Sequence, residues 1–397
     1  MQFANRIKNL GTESAFEVSH QAAMWHAEGN EVFSFHLGDL NIPTPRNIVD
    51  AMNEAIKNGK TGYCPPAGIP ELRAVLADDV GRRRGVSYSS DNVVIQPGGK
   101  PVIGKFILAL MNPGDEVLYP TPGYPIYESQ IEFHGGIAVP YIYKEIDGCF
   151  LLDLDKVKSK ITRRTRFFIY NNHQNPTGAE STQEEMEALA EIALEHDLWI
   201  LADEAYYEIR YGGVSRSIVS IPGMLERTVI LYTFSKKFAM TGWRIGAAIG
   251  PQKVAETISE LNVNDESCTN HFIQWAMIEA LTGPQEGPRR IISILKERRD
   301  AATVLLQNIE GVNLSVPNTT FYLYTNITEI VKQKNFDNIA EFQTEALKKT
   351  GVAFCTRNHF GRPIPGETDY YIRFAYSGID TQDIRKGLSR LKDFFDN

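Results

Sequence analysis

Cysteine is scarce in the sequence, and its four residues form no CxxC pair; they are Cys64, Cys149, Cys268 and Cys355. Such wide spacing is typical of reduced thiols and predicts neither a disulfide framework nor a metal site. Positive charge is also in deficit, because 41 Lys and Arg residues face 49 Asp and Glu residues, a formal net charge of −8. A general nucleic-acid-binding surface is therefore not expected.

Long apolar runs are missing too. No stretch is long enough to span a bilayer, and residues 1–20 contain no apolar run of signal-peptide length. We therefore expect a cytoplasmic protein without a membrane partner. Hydrophobic residues make up 43% of the chain and charged residues 23%, as in soluble globular enzymes. With 397 residues the chain is too long for one ordinary core, so two domains are expected.

The most informative segment that is present is TFSKKFAMTGWRIG, over residues 233–246. Apolar runs at 228–232 and 243–249 flank it, so its two adjacent lysines are expected in a connection between strands. Hydroxyl groups, a glycine and Arg244 surround these lysines. Such a set suits an amine that attacks a carbonyl beside a guanidinium that binds a phosphate, although a solvated basic loop is the ordinary alternative.

This segment resembles the signature of the class I, fold-type I aminotransferases: Ser-Lys, two variable residues, Ala-Met-Thr-Gly-Trp-Arg, an apolar residue and Gly. The resemblance extends from about Leu37 to Arg373. It implies that the cofactor is pyridoxal 5′-phosphate and that Lys236 forms a Schiff base with it. It also implies that Ser235 and Arg244 bind the cofactor phosphate.

Other motifs supply the rest of a cofactor site. Residues 97–101, Pro-Gly-Gly-Lys-Pro, open a predicted helix. The N–H groups of a helix N-terminus favour an anion. The resemblance places the phosphate on the amides of Gly99 and Lys100, and an aromatic cover for the pyridine ring at Tyr124. It matches Tyr63 to a tyrosine that reaches the partner's cofactor phosphate across a dimer interface, which implies a homodimer.

Polar residues follow two predicted strands. Asp203 follows the apolar run 198–202 directly, and there it could cap a helix or keep a pyridine nitrogen protonated. The resemblance favours the second role, and it implies that Tyr206 donates to the phenolic oxygen of the cofactor. Asn175 begins an Asn-Pro-Thr-Gly motif that would contact this oxygen and the substrate carboxylate. His173 is a candidate substrate contact, although a lone histidine is more often structural.

The substrate itself is expected at a buried arginine. Arg373 lies within the apolar run 371–377, and burying a guanidinium without an anion is costly. The resemblance implies that Arg373 binds the α-carboxylate and that Gly38 lies against the substrate. Lys100 holds a position where some family members carry a lysine for the distal carboxylate of a dicarboxylic substrate; a solvated lysine is the alternative.

Together these features predict an α/β fold of the pyridoxal-phosphate-transferase type I. A large domain, about 46–285, would hold the cofactor on a mostly parallel, seven-stranded-type sheet between helices. A smaller α/β domain would comprise 286–397 and the N-terminal arm, 1–45. Helices are expected at 182–196, 251–261, 270–282, 286–308, 337–349 and 380–395, and strands at 32–37, 92–96, 198–202, 311–316, 321–325, 352–355 and 370–375.

The predicted activity is ping-pong transfer of an amino group from an L-amino acid to a 2-oxo acid through a Lys236 aldimine. The same motifs serve β-lyases and aminocyclopropane-carboxylate-type synthases, which they do not separate. A P-loop NTPase is a remote alternative, because Gly99 is followed by Gly104-Lys105, but Phe106 stands where Ser or Thr would bind magnesium. A non-enzymatic regulator on this fold is the last alternative, although no helix-turn-helix precedes the fold.

Overall fold

The computed structural model describes residues 2–11, 14–336 and 338–396. Met1, Thr12 and Glu13 of the predicted arm, Asp337 at the predicted helix start and the terminal Asn397 lie outside the described residues. Within the described ranges, no helix is long and apolar enough to cross a membrane.

The strands and helices are numbered in chain order. The strands are β1 (Phe33–Ser34), β2 (Val93–Gln96), β3 (Glu116–Pro120), β4 (Ile137–Tyr141), β5 (Tyr143–Ile146), β6 (Cys149–Leu152), β7 (Thr165–Asn171), β8 (Trp199–Asp203), β9 (Thr228–Thr233), β10 (Gly246–Ile249), β11 (Tyr322–Asn326), β12 (Val352–Ala353), β13 (Cys355–Thr356) and β14 (Tyr371–Ala375). The helices are α1 (Ala15–Ala27), α2 (Arg46–Lys57), α3 (Pro70–Arg84), α4 (Lys100–Leu110), α5 (Ile126–Phe133), α6 (Leu154–Ser159), α7 (Gln183–Glu195), α8 (Gln252–Asp265), α9 (His271–Thr282), α10 (Glu286–Gln307), α11 (Thr328–Gln333), α12 (Ile339–Thr350) and α13 (Thr381–Asp396).

A seven-stranded sheet in the order β2-β10-β9-β8-β7-β3-β4 organises the first two thirds of the chain. Its neighbouring strands are parallel except β10, which runs antiparallel to both β2 and β9. Strands β2, β3 and β10 are buried at every residue, because helices cover both faces of the sheet. The predicted α/β fold with a mostly parallel central sheet is confirmed.

The two faces of this sheet carry separate apolar cores. On one face, side chains of β2, β9 and β10 pack with α3 and α9. On the other face, further side chains of the sheet pack with α4, α5 and α8. Helix α7 covers β7 and β8 on the same face as α3 and α9, since Ala202 of its core pairs in register with Ile230. A capping box between Thr182 and Glu185 fixes the start of α7, and Pro70 opens α3. These helices hold the carboxyl ends of the strands rigidly.

A second α/β unit joins the two ends of the chain. Strands β11, β14 and β13 form an antiparallel sheet, and β1 pairs in parallel with β12, with Phe33 opposite Val352. Its core includes Phe35 and Phe374, whose rings meet edge to face with 5.5 Å between centroids. Because residues 33–42 share this core with residues after 286, we propose the predicted boundaries near residues 45 and 285 for the two domains.

Two predicted strands differ in the structure. Residues 311–316 form only an isolated bridge between Asn313 and Asn326, so their apolar side chains never join a sheet. The strand expected from Trp243 begins at Gly246 instead. A 3-10 turn at Thr241–Trp243 and a left-handed Arg244, with φ 55°, take its place. This turn brings Arg244 to the cavity described below.

Candidate active site

A cavity of about 620 Å³ opens at the carboxyl ends of β7, β8 and β9. Asn171, Asp203 and Thr233, the last residues of these strands, line it. Ligands of open α/β sheets bind at such edges. Most of the residues selected from the sequence meet in this cavity: Gly38, Gly99, Lys100, Tyr124, Asn175, Asp203, Tyr206, Ser235, Lys236, Arg244 and Arg373.

Lys236 follows β9 and reaches across the cavity. Its Nζ donates to the carbonyl of Gly38 at 2.8 Å and lies 5.6 Å from the ring centre of Phe321. The adjacent Lys237 does not line the cavity. Its Nζ lies 3.8 Å from Glu208, and burial lowers its pKa. Of the two lysines, Lys236 is therefore the one positioned to react with a bound molecule.

Asp203 presents a buried carboxylate to the same cavity. Its Oδ2 accepts from Tyr127 Oη at 2.5 Å, and its Oδ1 accepts from the backbone N–H of Ala205 at 3.1 Å. Burial raises the pKa of Asp203 to about 6, while these two hydrogen bonds and the charge of Lys236 oppose the shift. The bond to Ala205 is the local turn contact expected of an aspartate that follows a strand. Asp203 also lines the cavity, which this local contact does not require. A basic ring nitrogen would stabilise this carboxylate.

The start of α4 and the segment after β9 form a compact cradle for an anion. Gly98 has φ 104°, and a Cβ placed there would lie 2.2 Å from Nη2 of Arg244. A Cβ on Gly99 would lie 2.8 Å from Leu231 Cδ2. Ser235, Arg244 and the N-terminus of α4 thus converge where side chains at 98 and 99 would not fit. Hydroxyl, guanidinium and helix amides are the donors that a phosphate requires.

Arg373 is a buried cation on β14, only 4% exposed. Its Nη1 donates to Oδ1 of Asn175 at 2.9 Å, and its Nη2 donates to the carbonyl of His36 at 2.6 Å. The guanidinium carbon lies 4.3 Å from the ring centre of Tyr322 and 4.7 Å from that of Phe360. No acidic side chain among the described residues forms an ion pair with it, and its buried Nε has no hydrogen-bond partner there. Such a cation favours a carboxylate ligand.

Three aromatic residues of the cavity, Tyr127, Tyr322 and Phe360, match no motif in the sequence. The phenolic oxygens of Tyr206 and Tyr322 lie 2.6 Å apart, and Tyr127 and Phe360 also line the wall. A Cβ on Gly38 would lie 2.2 Å from Tyr322 Oη, which explains the glycine. The available signal for Tyr127 was its position three residues after Tyr124, on the first turn of α5.

His173 does not line the cavity, which corrects the expectation that it contacts the substrate. Its ring is buried, and Nε2 lies 3.0 Å from Ser215 Oγ, which itself donates to the carbonyl of Tyr207. Nε2 must therefore carry the proton, and burial lowers the pKa of the ring to about 3. His173 thus lies in the turn that carries Asn175, but its ring contacts Ser215 and not the cavity.

Two other residues lie away from the cavity. Tyr63 is 89% exposed and does not line the cavity of its own chain. Lys105, the lysine of the P-loop-like pattern, is buried within α4, where its Nζ donates to Asn262 Oδ1 at 2.6 Å and pairs with Glu266. Because Lys105 is paired with Glu266 and does not line the cavity that Gly99 lines, it is not placed as the phosphate-binding lysine of a P-loop, and the NTPase alternative is wrong.

Comparison with known proteins identifies this architecture. A sequence profile described as aminotransferase class I and II matches residues 30–391. The LL-diaminopimelate aminotransferase of Halothermothrix orenii is 34% identical, over 99% of this chain and 98% of that protein. A probable aspartate/prephenate aminotransferase of Aquifex aeolicus is 32% identical, over 98% and 97%. The solved aspartate aminotransferase of Thermus thermophilus with maleate has a TM-score of 0.90 at 30% identity, covering 99% of both chains.

Proposed function

Because the chain belongs to the class I and II aminotransferases, which transfer amino groups with pyridoxal phosphate, we propose that Lys236 binds this cofactor covalently. The observation that carries the proposal is one cavity that holds together Lys236, the buried Asp203 and Arg373, a buried cation without an acidic partner among the described residues. When bound, the cofactor supplies the electron sink that lets a proton leave the substrate α-carbon. The protein's part is to orient the substrate and to move that proton.

We assign the cofactor contacts from the donor set of the cavity. The phosphate would lie on Ser235, Arg244 and the first amides of α4, at Gly99 and Lys100. The cradle at Gly98 and Gly99 supports this position, since a side chain there would occupy the space. Asp203 would pair with the pyridine nitrogen, which accounts for a carboxylate at the end of β8 whose pKa is raised by burial. Further contacts are assigned to Tyr124 over the ring and to Tyr206 and Asn175 at the phenolic oxygen.

Arg373 would bind the substrate α-carboxylate, with Asn175 beside it and Gly38 against the substrate. The stacked rings of Tyr322 and Phe360 hold the guanidinium plane, so little rotamer entropy is lost on binding. A substrate held there brings its α-carbon to the side of the cavity that Lys236 reaches. Nζ of Lys236 then takes up and returns the α-proton as a general base and acid.

We further propose an acidic amino acid as one donor and a 2-oxo acid as the acceptor. Lys100 supports this choice, because it adds a cation to the cavity wall beyond those assigned to the phosphate and the α-carboxylate. Its Nζ lies 5.6 Å from the ring centre of Tyr124. The names of the relatives, which include aspartate, prephenate and LL-diaminopimelate, are consistent with substrates that carry a distal polar group.

The working unit is proposed to be a homodimer. Tyr63 projects from the chain with 89% of its side chain exposed, an unusual state for a large aromatic residue. A phenol that reaches the partner's phosphate would be buried on assembly. A cytoplasmic location stays a prediction from the sequence.

The test is reconstitution of purified protein with pyridoxal phosphate. Wild type should gain a visible absorbance band and transfer an amino group from aspartate to 2-oxoglutarate or pyruvate. Lys236→Ala should lose the band and nearly all turnover, whereas Lys237→Met should keep both, because Lys237 faces Glu208. Wild-type turnover in Lys236→Ala would remove Lys236 from the mechanism. With cysteine as the donor, which carries a leaving group on its β-carbon, pyruvate and ammonia formed without any 2-oxo acid acceptor would indicate a β-lyase instead.

A further inference from the structure

We propose that His359 determines substrate specificity by donating a hydrogen bond from Nε2 to an oxygen at the far end of the substrate side chain. The proposal rests on the aminotransferase function above and deepens it. His359 lines the active cavity. It precedes Phe360, whose ring stacks on the guanidinium of Arg373. The residue therefore stands beside the proposed α-carboxylate site, on the wall contributed by the small domain.

The hydrogen bonds of the ring fix which nitrogen can donate. The backbone N–H of Thr356 donates to Nδ1 of His359 at 3.0 Å, so Nδ1 must hold a lone pair. The hydroxyl and the carbonyl of Thr356 lie 3.0 and 3.2 Å from the same nitrogen. A neutral imidazole with Nδ1 as acceptor carries its proton on Nε2.

The ring is also kept neutral. Burial is the main cause that lowers the pKa of His359, and the charge of Arg373 adds to it, while Thr356 and Glu17 oppose the shift. At neutral pH, Nε2 is therefore a donor without a net charge. No hydrogen bond from Nε2 to another described residue accompanies those of Nδ1.

The turn that carries His359 is held rigidly. Arg357 is buried, and it donates to the carbonyls of Phe360 and Gly361 at 3.2 and 3.1 Å and to Thr121 Oγ1 at 2.8 Å. The N–H of Gly123, next to Tyr124, donates to the carbonyl of Phe360 at 3.1 Å. The donor is thus pre-positioned, and a ligand need not order it on binding.

The chemistry of this donor indicates the substrate class. A neutral N–H donates a hydrogen bond to an oxygen acceptor, either carboxylate or carboxamide. It cannot form one with a hydrocarbon or ammonium side chain, because neither has an acceptor. Lys100 differs, because its charge favours a carboxylate over a carboxamide. We therefore expect Lys100 to separate acidic from neutral donors, and His359 to separate both aspartate and asparagine from alanine.

The experiment compares reconstituted holoenzymes of wild type, His359→Leu, His359→Gln and Asn358→Ala. Asn358 is the exposed neighbour on the same turn and serves as the control. Single-turnover reactions with aspartate, asparagine and alanine are followed through the absorbance of the bound cofactor. His359→Leu should lower kcat/KM for aspartate and asparagine about tenfold, and for alanine less than about twofold. His359→Gln retains a donor near Nε2 and should recover part of the loss.

Equal losses for all three donors in His359→Leu would overturn the specificity role and leave transamination intact. Unchanged kinetics in His359→Leu would overturn it as well, as would an equal loss in Asn358→Ala. Absence of amino-group transfer by the wild type with any donor would overturn the proposed function together with this inference.

Discussion

Tyr127 donates a hydrogen bond to Asp203 across the floor of the active cavity, with 2.5 Å between Oη and Oδ2. Both side chains are buried. Because Ala205 N–H occupies the other oxygen, the carboxylate has a single orientation. The tyrosine, which matches no motif, therefore positions the group proposed to pair with the cofactor ring.

Replacing Tyr127 with Phe should weaken pyridoxal phosphate binding about three- to tenfold, the usual effect of one lost hydrogen bond. The affinity is measured by absorbance titration of the cofactor-free protein. Tyr119→Phe is the matched control, because Tyr119 donates to Glu128 at 2.8 Å and does not line the cavity. Equal weakening in both variants would contradict a specific role for Tyr127.

Asp203→Asn should stabilise the cofactor-free protein above about pH 6. Burial raises the pKa of Asp203 from 3.8 to about 6, so the folded state takes up a proton that the unfolded state releases. The free energy of unfolding of wild type must then fall as the pH rises between these two values. Above the higher pKa, the buried charge of Asp203 lowers the free energy of unfolding by its full amount, about 3 kcal/mol for a shift of about two pKa units.

Urea unfolding of both cofactor-free proteins at about pH 4 and about pH 8 measures this difference. The advantage of Asp203→Asn should be present at the alkaline pH and shrink at the acid one. A difference that is the same at both pH values would show that the carboxylate is not destabilised by burial. In the holoenzyme, wild type should be more stable than Asp203→Asn, because the amide of Asn cannot pair with a ring cation.

Arg373→Lys should raise KM for every amino donor about 10- to 100-fold, because an ammonium group cannot bind a carboxylate through a planar fork. Arg299→Lys is the control. Its guanidinium also stacks on a tyrosine, 4.5 Å from the ring centre of Tyr211, but it lies outside the cavity. Steady-state kinetics with alanine isolates the effect on the α-carboxylate. A variant that kept the wild-type KM would place this carboxylate elsewhere.

Lys100→Met should lower kcat/KM for aspartate and glutamate about tenfold or more, since a hydrogen bond to a charged group is lost. Alanine kinetics should change little and serve as the internal control. If aspartate and glutamate kinetics stayed the same while other donors reacted, Lys100 would have no part in choosing the substrate.

Tyr63→Ala and Lys236→Ala should complement each other in mixed dimers. If Tyr63 acts on the partner's site, a mixed dimer holds one site with both defects and one intact site. Co-expression with two different affinity tags, followed by tandem purification, isolates this species. Its activity should exceed that of either parent dimer. Mixed dimers no more active than the Tyr63→Ala dimer would place Tyr63 outside the neighbouring site.

The sequence was most informative where chemistry restricts both residue type and spacing. Lys236, Asp203 and Arg373 could be selected from the sequence, and all three line one cavity. Phe360 and Tyr322 could not, because an aromatic residue in an apolar segment is usually core, and only the fold brings these two rings against Arg373. The fold class was predictable in the same way from apolar runs and helix starts.

Other features depended on neighbours distant in the chain. Residues 311–316 are apolar enough for a strand, yet within this segment only Asn313 forms a β-bridge, to Asn326. Arg244 interrupts an apolar run with φ 55°, which no local pattern predicts. His173 lies close to Asn175 in sequence, but its ring turns to Ser215 and away from the cavity. Side-chain direction at a turn depends on tertiary packing, which sequence spacing does not specify.

The parallel pairing of β1 with β12 constrains how the protein is made. During translation β1 leaves the ribosome first, and every strand of the central sheet emerges before β12. The large domain can therefore fold first, because domains generally fold as units during synthesis. Until β12 has been synthesised, Phe33 of β1 lacks Val352, its pairing partner in the folded protein. Since Gly38 and Arg373 both border the cavity, a nascent chain acquires the complete site only when its last quarter has been synthesised.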